Sequence, residues 1–171
     1  ILSSLVTIVS SASLVSKKNS GVLMIGRSGA GKSTLSVAFL HHGFNYFSDE
    51  HPIVELRNGK IIGKSFINRI GLTSVSAKNF PDLKKSFEWN SNIRKFYFNP
   101  WGKNETVPDT CSIDKIVFPK FQHRGKFKIR KLKPLELFGN LTRDDYFFAD
   151  TQDDFKNKLA QNHLEIMMEL T

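Results

Sequence analysis

The sequence predicts a single compact α/β domain across residues 1–171. Three observations lead there. With 40% hydrophobic and 12% aromatic residues in 171, the chain can fill one core but not two. Apolar β-like runs recur along it at short intervals. One of them, Val22 to Ile25, passes through a glycine-rich turn into a stretch with helical spacing. The first residue is Ile1 rather than a methionine, so the chain reads as a piece of a longer protein or as one lacking a disordered start.

Taken in order, "ILSSLVTIVSSASLV" is apolar enough to raise the question of a leader or a membrane span. It lacks a basic n-region, is interrupted by serines and is too short to cross a bilayer, so it predicts two strands joined by a Ser-rich bend and no membrane association. Leu14 to Val15 and Val22 to Ile25 then flank the turn "SKKNSG" as strands. Leu35, Ala38 and Phe39 recur at helical spacing and Gly43 stands where a C-cap would, which gives a helix from Lys32 to His42. "FNYFSDE" returns as a strand, and "PIVELRNGKIIG" reads as a hairpin turning at Asn58-Gly59. Residues 64–81 have weak periodicity and are expected to be mostly loop. Strands follow at 93–100, 112–121 and 125–132, and helices at 133–141 and 151–170, the last with Thr151 as N-cap and acids in its first turn.

Composition narrows the setting. Cys111 is the single cysteine, so no internal disulfide forms, and no Cys/His cluster has zinc spacing. A reducing cytoplasm and a buried thiol are the expectation, and the sequons at Asn104 and Asn140 then carry no meaning. A formal net charge of +9 invites a nucleic-acid partner. The basic residues are scattered in short runs rather than stacked in a stripe, which argues against that partner and leaves solvated faces or an acidic protein partner.

The chemistry lies between Gly21 and Glu55. "GRSGAGKS" fits G-x-x-x-x-G-K-[ST] with Gly26, Gly31, Lys32 and Ser33, between a strand and a helix. In such a cradle Ser28, Gly29, Ala30 and Gly31 present backbone to phosphate, and the helix start adds its positive end. Lys32 reaches the outer phosphates, the Ser33 hydroxyl can ligate Mg²⁺, and Thr34 closes the binding set. Asp49 and Glu50 follow one helix and one strand later. If that strand returns beside the cradle, one acid can ligate the metal and another can accept a proton from an attacking hydroxyl. The plain alternative is a solvated strand end.

From Gly21 to Glu50 the sequence resembles the catalytic core of the HPr kinase/phosphorylase group, whose fold is shared with ATP-dependent phosphoenolpyruvate carboxykinase. The likeness is carried by an apolar strand, G-x-S-G-x-G-K-S, a helix ending at Gly43-Phe44 and an apolar strand closing on an acidic pair. It covers roughly Ser11 to Leu141, strongly over the first third and loosely through "KFYFNP" and "IDKIVFPKF". What it implies is a P-loop nucleotide-binding core with a mixed sheet and flanking helices, and an ATP- and Mg²⁺-dependent phosphotransferase acting on a hydroxyl, often of a protein serine, and commonly a homo-oligomer. Lying over one pattern, Asp49 is the base and Glu50 the metal ligand; over the other, Asp49 is the metal ligand and Ser48 replaces the first acid. Two positions depart from the family. Ser11 stands where a histidine is expected before the cradle, and "NRIGL", with Asn68 and Arg69, only partly echoes an acid–arginine–glycine stretch. A relative with a different acceptor follows from that, rather than the bifunctional enzyme.

Arg69, Arg94 and Lys95 are candidates to neutralise a transferred phosphoryl group, with Arg69 placed in the catalytic set. Arg27 is expected to face base or partner, His41 and His42 to close a helix, His51 to face solvent or orient an acid, and Trp89 and Trp101 to pack on the sheet. Two other classes stand beside the kinase: a nucleotide-binding regulatory module without turnover, and a small-metabolite kinase of another fold.

Overall fold

Two tight hairpins set the frame. In the computed structural model, which describes residues 5–66, 68–100, 108–121, 126, 128–142 and 147–148, strands β2 (Ala12–Lys17) and β3 (Ser20–Ile25) pair antiparallel across a two-residue turn. Strands β5 (Ile53–Arg57) and β6 (Lys60–Lys64) do the same, with Asn58 and Gly59 at φ 51° and 69°. Positive φ at both positions is what a type I′ turn needs, and it matches the right-handed strand twist.

The other main-sheet strands are β1 (Leu5–Val9), β4 (Asn45–Glu50), β10 (Thr110–Val117) and β11 (Phe147–Phe148). Their order is β11-β1-β5-β6-β10-β3-β2-β4. β10 and β3 run parallel and every other described pair is antiparallel, so the sheet is mixed. A second sheet, β7-β9-β8, is formed by β7 (Ile70–Leu72), β8 (Phe87–Asn90) and β9 (Lys95–Phe98).

Helix α1 (Lys32–His41) lies between the two sheets. Leu35 and Phe39 pack on Val15, Val22 and Met24 of the main sheet. Val37 and Leu40 join Ile70, Leu72 and Phe98 of the small one. A helix with apolar residues around its circumference is stable only when covered on more than one side, and the small sheet supplies the second cover. On the opposite face the main sheet curls, and Val9, Leu14, Leu23, Phe47, Val54, Ile61 and Ile113 close a core against Leu137 of α3 (Pro134–Thr142). Cys111 is buried there, and burial pushes its thiol pKa up to about 12, so it stays protonated. Among the described residues no helix is long and apolar enough to cross a membrane.

Several expectations change. Residues 64–81, expected to be mostly loop, contain β7 and the short helix α2 (Ser74–Ala77), and a 3-10 turn follows over Pro81–Ser86. A three-residue strand is too short to show alternation, and α2 rests on the Thr73 cap, which accepts from Ser76 N at 3.2 Å. The expected strand at 125–132 has no regular structure in its described residues, 126 and 128–132. β10 is already paired on both edges, and Arg130 instead clamps Glu136 in the first turn of α3 at 2.9 and 3.0 Å. Trp89 is 50% exposed rather than buried, tilted against Phe96. The helix expected at 151–170 and Trp101 lie outside the described residues.

The curl brings Gly63 of β6 against Leu14 of β2: a Cβ at Gly63 would collide with Leu14 Cδ2 and stand 3.4 Å from Cys111 Sγ. Gly63→Ala is therefore expected to destabilise by about 1–3 kcal/mol, overriding the entropic gain of losing a glycine. Adding Leu14→Ala should cost less in that background than alone, with a coupling above about 0.5 kcal/mol in a urea-unfolding double-mutant cycle. Strict additivity would show that the two strands do not pack face to face.

Candidate functional site

The site is assembled at one end of the main sheet by three neighbouring strands. β3 ends at Ile25, β2 begins beside it at Ala12, and β4 ends on the far side of β2 at Glu50. β3 and β4 thus both point their C-terminal ends the same way with β2 antiparallel between them. α1 makes the crossover from one to the other, packed on β2 and β4. The C-terminal edge of such strands, next to a helix start, is where α/β sheets place ligands.

A register shift fixes which residues face the loop. Val15 pairs with Tyr46 but Leu14 pairs with Ser48, so Phe47 is an extra residue in β4. Directly opposed residues share a face of the sheet. Tyr46 opposes Val15 and Asp49 opposes Ser13, and Val15 and Ser13 lie on the α1 face. In an unbroken strand Tyr46 and Asp49, three apart, would lie on opposite faces. The extra residue puts both on the helix side and sends Phe47 into the core.

Asp49 is 2% exposed. Its Oδ2 accepts from Ser33 Oγ at 2.8 Å, and its Oδ1 accepts from Ser13 Oγ. Asn68 holds the backbone of the same residue: Asp49 N donates to Asn68 Oδ1 at 3.0 Å, and Asn68 Nδ2 donates to Asp49 O. The Tyr46 hydroxyl also donates to Asn68 Oδ1. Burial raises the Asp49 pKa above its ordinary 3.8, the two serine hydrogen bonds oppose that shift, and Glu50 adds to it.

The glycine-rich loop lies across from this carboxylate. Gly29 and Gly31 have φ of 82° and 100°, conformations that L side chains rarely adopt, and an added Cβ at either would meet no atom. Gly26 N donates to Ser11 O at 3.1 Å, tying the loop to the start of β2. Lys32 is buried, and its ammonium donates to the carbonyls of Gly26 at 2.5 Å and Arg27 at 3.1 Å. Burial lowers its pKa, Asp49 and Glu50 raise it, and Lys95 lowers it further. Ser28 and Ala30 complete the turn, with Ala30 N bonded to Arg27 O. The first turn of α1, Lys32 to Thr34, has no acidic residue, and no side chain caps its N-terminus. Orphan N–H groups and a positive helix end therefore meet a buried lysine, an arrangement suited to an anion.

The two acids differ sharply. Glu50 has φ 75°, its side chain is 63% exposed, and its Oε1 lies 3.7 Å from Lys95 Nζ. Arg69 reaches neither acid; its guanidinium pairs with Glu88 of β8 at 2.8 Å. Arg94 is exposed at φ 51° in the turn between β8 and β9. His51 and Arg27 are exposed. At the other end of α1, His41 stacks on Phe80 and the His42 carbonyl accepts from Lys17.

Ser13 and Tyr46 escape sequence reasoning. The one signal for Ser13 is a serine on an otherwise apolar strand whose alternation turns it toward the helix face, where a hydroxyl needs a partner. For divalent cations, Ser33 Oγ and Asp49 Oδ2 are hard oxygen donors at adjoining positions, which fits Mg²⁺. Among the described residues no cluster of three or more His, Cys, Asp or Glu is placed to hold a metal, so phosphate oxygens and water would complete such a shell.

No protein-family model and no curated protein sequence matches the chain. Among solved structures it is similar to the Hpr(Ser) kinase/phosphatase from Coxiella burnetii, at 18% identity and a TM-score of 0.41. That match covers 68% of this chain and 64% of the other, so it spans slightly less than two thirds of the neighbour's length. A likeness this distant carries no function from one chain to the other.

Because burial raises the Asp49 pKa, the folded chain binds this proton more readily than the unfolded one. Stability therefore falls as pH rises from about 3.8 through the raised value. Asp49→Asn removes that titration. Without divalent cation it should melt above wild type at neutral pH, and the gap should close as pH falls through the window. A variant melting below wild type at neutral pH would show that the serine contacts repay the buried charge.

Proposed function

We propose that the chain is an ATP-dependent phosphotransferase that moves the γ-phosphoryl group to a hydroxyl of a protein or small-molecule acceptor. The observation that carries this assignment is the Asp49 carboxylate hydrogen-bonded to Ser33 Oγ, one residue from the buried lysine at an uncapped helix start. A buried acid beside that hydroxyl suits a loop that takes its nucleotide together with a divalent cation, the form in which phosphoryl transfer uses it.

The residues divide the work as follows. The backbone of residues 26–34 surrounds the phosphates, and Lys32 exchanges the carbonyls of Gly26 and Arg27 for phosphate oxygens. Ser33 and Asp49 hold Mg²⁺. That cation, when bound, supplies positive charge against the phosphate oxygens. Glu50, at the solvent edge, accepts the proton of the acceptor hydroxyl, a role open to it because both Asp49 oxygens are already engaged by hydroxyls. The acceptor oxygen forms a bond to the γ-phosphorus as the bond to the bridging oxygen breaks, and ADP leaves with that electron pair. Asn68 and Tyr46 keep the Asp49 backbone fixed while this happens. Arg69 would have to leave Glu88 to reach the transferred group.

The test is incubation of the purified chain with γ-labelled ATP, Mg²⁺ and a cell extract, followed by identification of what becomes labelled. Asp49→Ala should keep binding of a fluorescent ATP analogue in the absence of divalent cation yet lose transfer by about 10²–10⁴-fold. Lys32→Ala should weaken binding itself. A wild-type chain that binds the analogue and never transfers label would leave a nucleotide-binding module and overturn the kinase.

A further inference from the structure

The small sheet aims one cation at the acidic pair. Lys95 opens β9, and its stem crosses the edge strand β7 at Gly71: a Cβ on Gly71 would lie 3.3 Å from Lys95 Cδ and 3.8 Å from its Nζ. Any larger residue at 71 would crowd that path. The ammonium then emerges 3.7 Å from Glu50 Oε1, on a side chain that is 37% exposed. Glu50 follows the residue that binds Ser33 of the loop, and the Lys95 charge is close enough to act on Lys32.

The other candidate cations are placed differently. Arg69 is bound to Glu88, and Arg94, the residue before Lys95, is exposed in the turn between β8 and β9. Lys84 and Lys85 are exposed on the 3-10 turn. An exposed lysine–glutamate pair at 3.7 Å contributes little to stability, so it is readily broken by a more highly charged partner. A phosphoryl group in transfer is such a partner, and its charge would draw the lysine away from Glu50.

We propose that Lys95 is a second phosphoryl-contacting lysine, laid across Gly71 and held in waiting by Glu50, and that it binds the group in transfer rather than the bound nucleotide. The proposal rests on the phosphotransferase assignment and names a residue for the charge that Lys32, engaged with the ground-state phosphates, does not neutralise. When Lys95 moves to the phosphoryl group, Glu50 is released to accept the acceptor's proton.

The test needs no acceptor: affinities for Mg-ADP alone and for Mg-ADP with aluminium fluoride, a mimic of the group in transfer, are measured by calorimetry. Lys95→Met keeps the stem over Gly71 and removes the charge. It should bind Mg-ADP within about 3-fold of wild type and the fluoride complex about 100-fold more weakly. Lys95→Arg should restore most of the loss, and Lys84→Ala should match wild type in both. Equal affinity of Lys95→Met and wild type for the fluoride complex overturns the role of Lys95 and leaves the transferase standing. A wild-type chain that binds Mg-ADP but gains nothing from fluoride overturns both.

Discussion

The structure depends on a carboxylate that water no longer solvates. Taking the Asp49 charge out of water costs several kcal/mol, and each hydrogen bond to it returns about 1.5–3 kcal/mol. Ser13 and Ser33 supply two, yet burial remains the largest influence on its titration. A group in that condition gains from a proton or a cation. The fold keeps it there by gripping its backbone as well: Asn68 bonds both the N–H and the carbonyl of Asp49, so this stretch of β4 cannot shift without breaking both bonds.

The main chain provides this grip through an uncommon strand arrangement. β2 runs antiparallel between β3 and β4, so the loop and the acid belong to strands that do not touch. The gap of two strand spacings, roughly 9–10 Å, is bridged by the α1 N-terminus from one side and by Ser13 of the intervening strand from the other. That is why a serine in β2 contacts Asp49, and why the register shift at Phe47 matters. Without it the acid would enter the apolar core beside Leu14 and Leu23, where no donor waits.

How much of this is legible in the sequence follows from the range of each interaction. The loop, α1 and the strand carrying Asp49 are set by local features: glycines at fixed offsets, helical spacing after Lys32, a glycine at 43. The hairpin at Asn58-Gly59 is equally local, and all of these form where the pattern puts them. The strand order is not local, since β10 enters from far along the chain to pair beside β3. The Phe47 shift leaves no trace in hydropathy, because Tyr46, Phe47 and Ser48 are all buried whichever face they take. The small sheet is hidden for a similar reason. Its strands are three or four residues long, and their apolar residues, Ile70, Leu72 and Phe98, are read only against α1. Ser13 is invisible until the neighbouring strand is known.

The charges around the loop also constrain how it must respond to a ligand. Lys32 is bound to two carbonyls of its own loop, not to a carboxylate, although Asp49 and Glu50 both act on it. Carbonyl hydrogen bonds hold the ammonium without neutralising it, so the loop retains its positive charge while staying closed on itself. A phosphate bound there would exchange those two bonds for ones in which donor and acceptor are both charged. The acid side behaves in the opposite sense: Asp49 is shielded by hydroxyls that a cation would share, since a hydroxyl oxygen freed of its role as donor is itself a ligand. An anion at Lys32 and a cation at Asp49 would lie on either side of Ser33, close enough to attract each other.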